Sequence, residues 1–112
     1  MSFHDLHWSP AEKKVARKAF DHALQAALAR VMAEFKTRAN AASSPSEMWE
    51  IEDYLRRQRR EIDETFDYRY SQLILVFARL IREGYLDENL LAGLSEEKRD
   101  QVRSIVAYAA KR

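Results

Sequence analysis

Three histidines, His4, His7 and His22, are the only imidazoles in the 112-residue chain, which has no cysteine. Any soft-ligand metal site or neutral-pH general base would have to be built from them. Their spacing speaks against both. No His-Glu-x-x-His or Glu-x-x-His pattern occurs, and metal motifs need converging ligands. His4 and His7 also precede the first helix signal, so all three read as surface histidines and no metal is expected. Without cysteine there are no disulfides and no thiolate nucleophiles, which fits a reducing cytosol. A phosphate-cradling loop needs clustered glycines after a strand. The two glycines here, Gly84 and Gly93, are nine residues apart with no strand before them.

The densest charge is Arg56-Arg57-Gln58-Arg59-Arg60, which could grip a phosphate backbone. Its neighbours argue otherwise. Glu52–Arg56, Asp53–Arg57, Arg57–Glu61, Arg59–Asp63 and Arg60–Glu64 each place acid and base one helical turn apart. Segment 45–84 holds 7 basic and 9 acidic residues, net −2, so the run reads as a solvated helix face. Arg60-Glu61-Ile62-Asp63 faintly resembles the opening helix of all-helical chorismate mutases. The Lys and the polar acid/amide pair that should follow are not in register.

Trp49 is more informative. With Trp49 at 0° on a wheel of about 100° per residue, Ile51, Leu55, Gln58 and Ile62 fall at roughly 180–240°, while Asp53, Arg56 and Arg60 fall within about 40° of Trp49. A Trp ringed by charge, away from the apolar seam, is typical of a protein-recognition hot spot. The competing reading is a helix sandwiched inside a dimer, with Trp49 packed on the second protomer.

The elements that must carry these residues follow from the breakers. Only Pro10, Pro45, Gly84 and Gly93 interrupt the chain. Ser9-Pro10-Ala11-Glu12 and Ser44-Pro45-Ser46-Glu47 share one grammar, Ser at N-cap, Pro at N1 and Glu at N3, and predict helix starts near 10 and 45. Phe20, Leu24, Leu28, Val31 and Phe35 recur at steps of four and three, thickened by Ala16, Ala23 and Ala27. Segment 10–40 has no internal breaker and would be about 46 Å long as one helix, longer than a compact globule of this size. Met48, Ile51, Leu55, Gln58, Ile62 and Phe66 form a near coiled-coil seam on the next helix, and the short loop at 40–46 makes the pair antiparallel. Segment 68–83 is too apolar for one face and should sit centrally, with Gly84 as its C′ cap. Asp87 should cap a short turn ending at Gly93. Ser95 should cap a last helix with Val102, Ile105, Val106 and Ala109 inward.

The fold class is therefore all-α: a flexible tail over 1–8, then one domain over 9–112, with a long antiparallel two-helix arm at 9–66 and a small helical head at 67–112. An arm that cannot cover its own stripes calls for a homodimer, with Met48, Ile51, Leu55 and Ile62 at the seam. Hydrophobic residues are 46% and charged residues 33%, so the composition is neither disordered nor membranous. The longest apolar run, Leu73–Ala78, is far too short for a membrane span, and no secretory leader is evident. A net charge of +1 argues against nucleic-acid or membrane binding driven by charge.

Met48-Trp49-Glu50-Ile51-Glu52-Asp53-Tyr54-Leu55, then Arg59-Arg60-Glu61-Ile62-Asp63, then Asp67-Tyr68-Arg69-Tyr70-Ser71-Gln72-Leu73 and Val76-Phe77-Ala78, resemble the fluorescence recovery protein family of cyanobacterial photoprotection. The resemblance is strong over about 48–94 and weaker in the first helix.

It implies a non-enzymatic, cofactor-free helical dimer. Such a protein binds the photoactivated orange carotenoid protein, speeds its return to the orange form and detaches it from the phycobilisome. It implies a cytoplasmic location, thylakoid-associated through partners in a cyanobacterial host. The family's binding surface centres on a Trp, an Asp and an Arg that match Trp49, Asp53 and Arg59, with Glu52, Arg56 and Arg60 around them; Met48 matches a dimer contact. Arg59 lies at about 280° on the wheel, a third of a turn from Asp53, so a composite site across the dimer seam is expected. Three positions depart from the family pattern: Glu52 stands for a His, Leu75 for an aromatic and Gln101 for a basic residue. The alternative is a dimeric interaction module of the same fold, with another protein partner, in a host lacking orange carotenoid protein.

Overall fold

A computed structural model describes residues 6–111; His4 and the start of the expected tail lie outside them. Four α-helices follow one another: α1 (Pro10–Ala41), α2 (Pro45–Thr65), α3 (Leu73–Arg82) and, after a 3-10 turn at Glu88–Leu91, α4 (Glu96–Ala110). No strand occurs among the described residues. The Cα radius of gyration is 16.9 Å and the extents are 53 × 32 × 22 Å, against about 13 Å for a compact chain of this length. The elongation comes from α1, 32 residues long and so about 48 Å end to end.

Local chemistry explains each boundary. The capping box at the start of α1 is complete: Glu12 N–H donates to Ser9 Oγ at 3.1 Å, and Ser9 N–H donates to Glu12 Oε1 at 3.0 Å. At α2 only half of it closes. Glu47 N–H donates to Ser44 Oγ at 3.2 Å, but the Glu47 carboxylate takes the Ser43 and Ser44 hydroxyls instead of the cap amide. α3 ends in a Schellman turn, with Tyr85 N–H bonded to Leu80 O, Gly84 N–H to Ile81 O, and Gly84 at φ 80°. Asp87 accepts from Asn89 N–H at the 3-10 turn and Ser95 caps α4.

Along α1 the partner changes. Its N-terminal half buries Ala16, Ala19, Phe20 and Ala23 against Leu73, Ile74, Phe77 and Leu80 of α3, Leu91, Leu94 and Val102. Small side chains on that face let the elements approach closely. A Cβ on Gly93 would come within 2.5 Å of Val15 Cγ2. The C-terminal half pairs with α2. Arg38 stacks on the Tyr54 ring at 4.1 Å, while Arg30 and Val31 share a cleft with Gln58 and Ile62. Numbers rise along one helix as they fall along the other, so α1 and α2 are antiparallel.

Two expectations need correction. Trp8, assigned to a flexible tail, is buried in the main core beside Tyr70, ring centroids 5.5 Å apart; a large apolar side chain gains more from burial than its short segment loses in entropy. The helix expected over 68–83 starts at Leu73. Asp67 instead holds Arg69, the Nε donating at 2.8 and 3.0 Å, and Tyr68 and Tyr70 turn inward onto Phe20 and Trp8. The α1 stripe Phe20–Phe35 changes character along its length. Phe20 is buried, whereas Leu28 and Phe35 are exposed.

Candidate functional site

Two surfaces of the α1–α2 hairpin hold the residues singled out by sequence. The first is the outer side of α2. Tyr54, one of the two side chains that α2 buries, packs under Arg38 of α1, and it lies about 140° around the helix from Trp49. Trp49 therefore points outward and is 58% exposed. Asp53, Arg56, Arg59 and Arg60 are exposed with it, as is Glu52, which pairs with Arg56. Of the five acid–base spacings on this helix, the structure closes Glu52–Arg56 and leaves the other four open. That leaves Asp53, Arg57, Arg59 and Arg60 without an ion-pair partner among the described residues. Exposed pairs of this kind contribute little to stability, so the charges remain available. Within one chain Trp49 and Asp53 share a side, and Arg59 lies toward the seam.

The second surface is apolar. Leu28, Met32 and Phe35 are exposed along one side of α1, and Met48 is exposed at the start of α2. Phe35, Ala39, Ala42, Pro45, Met48 and Ile51 line a shallow hollow of about 540 Å³ at the hairpin tip. Ile51, Leu55 and Ile62 are half-buried; Ile51 lines this hollow, whereas Ile62 lines the cleft with Arg30 and Val31. The apolar spacing of Met48, Ile51, Leu55 and Ile62 along α2 was legible in the sequence. On α1, Met32 stands four residues after Leu28 and three before Phe35 and so extends the stripe, but nothing local told which part of α1 the rest of the chain would cover.

Tyr54 was missed altogether. Its position between the seam and the charged side is ambiguous until Arg38, itself held by Glu34 at 2.9 Å, is seen above the ring. Burial, foremost, pushes the Tyr54 hydroxyl above its ordinary pKa, and Glu34 adds to it.

A third concavity lies where α1, α2 and α3 meet, about 250 Å³, lined by Arg30, Gln58, Glu61, Thr65, Arg79, Glu83 and Tyr85 among others. Its charges are largely spent: Arg79 pairs with Glu83 at 3.3 Å, and Arg30 stacks on Tyr85 at 4.6 Å. His7 and His22 are exposed. Among the described residues no group of three or more His, Asp or Glu is placed to hold a metal ion, and no helix is long and apolar enough to cross a membrane.

An all-helical hairpin with an open apolar side and an outward Trp among charges has the kind of surface on which proteins dock. The chain belongs to the fluorescence recovery protein family. The sequence model of that family, described as photoprotection regulator fluorescence recovery protein, matches residues 8–106. The fluorescence recovery protein of Synechocystis sp. is 32% identical over 98 residues, covering 88% of this chain and 90% of the relative. Solved structures of the Fremyella diplosiphon and Synechocystis sp. PCC 6803 fluorescence recovery proteins superpose with a TM-score of 0.85 each, at 33% and 31% identity. Each alignment covers 90% of this chain and 99% of the other.

Proposed function

We propose that this chain is a non-enzymatic photoprotection regulator, acting as a cytoplasmic homodimer on the photoactivated orange carotenoid protein. It accelerates return of that protein to the orange form and so frees the phycobilisome. The observation that carries the reading is Trp49. It is a large apolar ring, more than half exposed, on the side of α2 turned away from α1, inside the segment where the family resemblance is most specific. Nothing in the chain's own packing needs it there.

In this reading Trp49 is the anchor, Asp53 an acceptor and Arg59 a bidentate donor, with Glu52, Arg56 and Arg60 as the charged rim. The seam joins Met48, Ile51, Leu55 and Ile62 of two copies. That brings Arg59 of one protomer toward the Trp49–Asp53 side of the other and makes the site composite. Acceleration requires tighter binding to the transition state between red and orange forms than to the red form itself. A rigid dimer that bridges the partner's separated domains supplies that by proximity.

The test is direct. The protein is added to a photoactivated orange carotenoid protein and the red-to-orange decay is timed. The parent chain should shorten the decay; Arg59→Leu and Asp53→Leu should each remove most of the effect with circular dichroism unchanged. Acceleration by Arg59→Leu equal to the parent's sinks the residue assignment. The departures at Glu52 and Leu75, the latter exposed on α3, favour one second reading: the same dimeric docking module with another protein partner. No acceleration by the parent chain selects it.

A further inference from the structure

Methionine usually fills gaps in a core. In this protein the two internal methionines do the opposite: Met32 is 58% exposed and Met48 51%. Both lie on the apolar side of the hairpin. Leu28, Met32 and Phe35 follow one another at steps of four and three on α1, and Phe35 and Met48 line the same hollow at its tip. The chain has no cysteine, so its reversible sulfur oxidation chemistry rests on thioethers.

We infer that Met32 and Met48 are sites of reversible sulfoxidation by peroxides, and that their oxidation state sets whether the hairpins associate. The inference rests on the dimer reading above. The chemistry needs one co-reactant, hydrogen peroxide or an alkyl peroxide. The sulfur lone pair attacks a peroxide oxygen; an S–O bond forms and the O–O bond breaks. The displaced oxygen takes up the proton left on the transferred one and leaves as water or alcohol. Sulfur is oxidised by two electrons and the peroxide is reduced by two.

The product places a polar sulfoxide oxygen where an apolar contact belongs. The hollow has nothing to offer it. Its lining is Phe35, Ala39, Ala42, Pro45 and Ile51, with two hydroxyls. Both hydroxyls, of Ser43 and Ser44, already donate to Glu47 Oε1 at 3.2 Å. A sulfoxide on Met48 would be buried without a donor, a costly arrangement. Each dimer carries the lesion twice at each position. The sulfurs are open in the single chain and closed in the pair, so peroxide captures the monomer and association protects against it.

The experiment measures the dimer dissociation constant of the full chain before and after hydrogen peroxide, with peptide mass mapping, and again after methionine sulfoxide reductase. One oxygen should be found on each of Met32 and Met48. Oxidation should slow as protein concentration rises through the dissociation constant. Dimerisation should weaken by about a hundredfold or more and return on reduction. In a Met32→Leu/Met48→Leu variant, peroxide should leave the variant's own constant unchanged. The inference is overturned if the fully sulfoxidised chain dimerises as tightly as before. It is equally overturned if the reductase removes the sulfoxides without restoring the dimer, since the damage then lies elsewhere, at Trp49 for example. A reduced chain that stays monomeric at every concentration overturns the dimer reading first and the switch with it; concentration-independent oxidation marks that case.

Discussion

Lys98 Nζ donates to both carboxylate oxygens of Glu12, 86 residues earlier in the chain, at 3.3 and 3.2 Å. The same carboxylate receives the amides of Ser9 and Ser95, and Lys98 also reaches the His7 carbonyl and sits 5.0 Å above the Trp8 ring. The Glu12–Lys98 pair thus caps the start of α1, holds the cap of α4 and fixes the segment before α1. Burial pushes the Glu12 pKa up, but the Ser9 and Ser95 amides and Lys98 outweigh it and hold it at about 2, against 4.5 for a free glutamate.

The folded pKa lies below the unfolded one, so the pair stabilises the protein above about pH 4.5, and that contribution is lost as pH falls from 4.5 towards 2. Glu12→Gln keeps an acceptor for only one of the two amides, since Ser9 bonds Oε1 and Ser95 Oε2, and leaves the Lys98 ammonium buried without its counter-charge. It should cost about 3 kcal/mol, lower the melting temperature by roughly 10 °C or more, and flatten the acid limb of stability against pH. Thermal melts followed by circular dichroism at stepped pH decide it; an unchanged acid limb would show that Glu12 is not the titrating group.

Gly93, two residues past the 3-10 turn, faces Val15 of α1. Gly93→Ala puts a methyl 2.5 Å from Val15 Cγ2, with a stiff β-branched neighbour unable to rotate aside. The expected loss is about 1–3 kcal/mol. Val15→Ala should recover part of it in the double variant, so that the two changes couple in a chemical-denaturation cycle. Strict additivity would refute the contact.

The hairpin's two sides should respond differently to substitution. Tyr54→Ala removes a ring that is buried against α1 beneath Arg38 and should destabilise by about 2–4 kcal/mol. Trp49→Ala removes an exposed ring and should change stability by no more than about 0.5 kcal/mol. In the photoactivated-partner assay Trp49→Ala should cost at least about tenfold in acceleration, as hot-spot truncations do. Comparable losses of stability in both variants would place Trp49 in the fold instead.

Met48→Glu puts a charge on the apolar side of the hairpin. If the seam is correctly placed, the variant is monomeric by size exclusion with light scattering at micromolar concentration, since an unpaired buried charge costs several kcal/mol in order of magnitude. Its helicity should be intact, because Met48 is exposed within the single chain. A dimer that survives moves the seam elsewhere.

The basic run on α2 supplies a negative control. With Glu52 paired to Arg56 and acids interleaved through the helix, binding to duplex DNA at physiological salt should be weak and nonspecific. A sub-micromolar, salt-sensitive dissociation constant would overturn the protein-docking reading of this face.

Helix starts were legible in the sequence because they are local. Ser9 and Ser44 need only a free amide three residues on, and the Schellman turn at Gly84 needs only a residue tolerant of positive φ. The outward direction of Trp49 was legible too, since it depends on a wheel and on which side is apolar. Tertiary structure decided the rest. Trp8 belongs to the core because Tyr70 and Lys98, 62 and 90 residues away, meet it there. Residues 66–72 leave the helix because Tyr68 and Tyr70 gain more by stacking on Phe20 and Trp8 than by continuing it. Phe20 and Phe35 look alike in sequence, on one stripe of one helix. Phe20 is buried because α3 and its neighbours reach that half of α1; on the other half α2 packs along a different side, and Phe35 is left exposed. Periodicity tells which side of a helix is apolar; what covers it depends on where distant parts of the chain, or another molecule, come to rest.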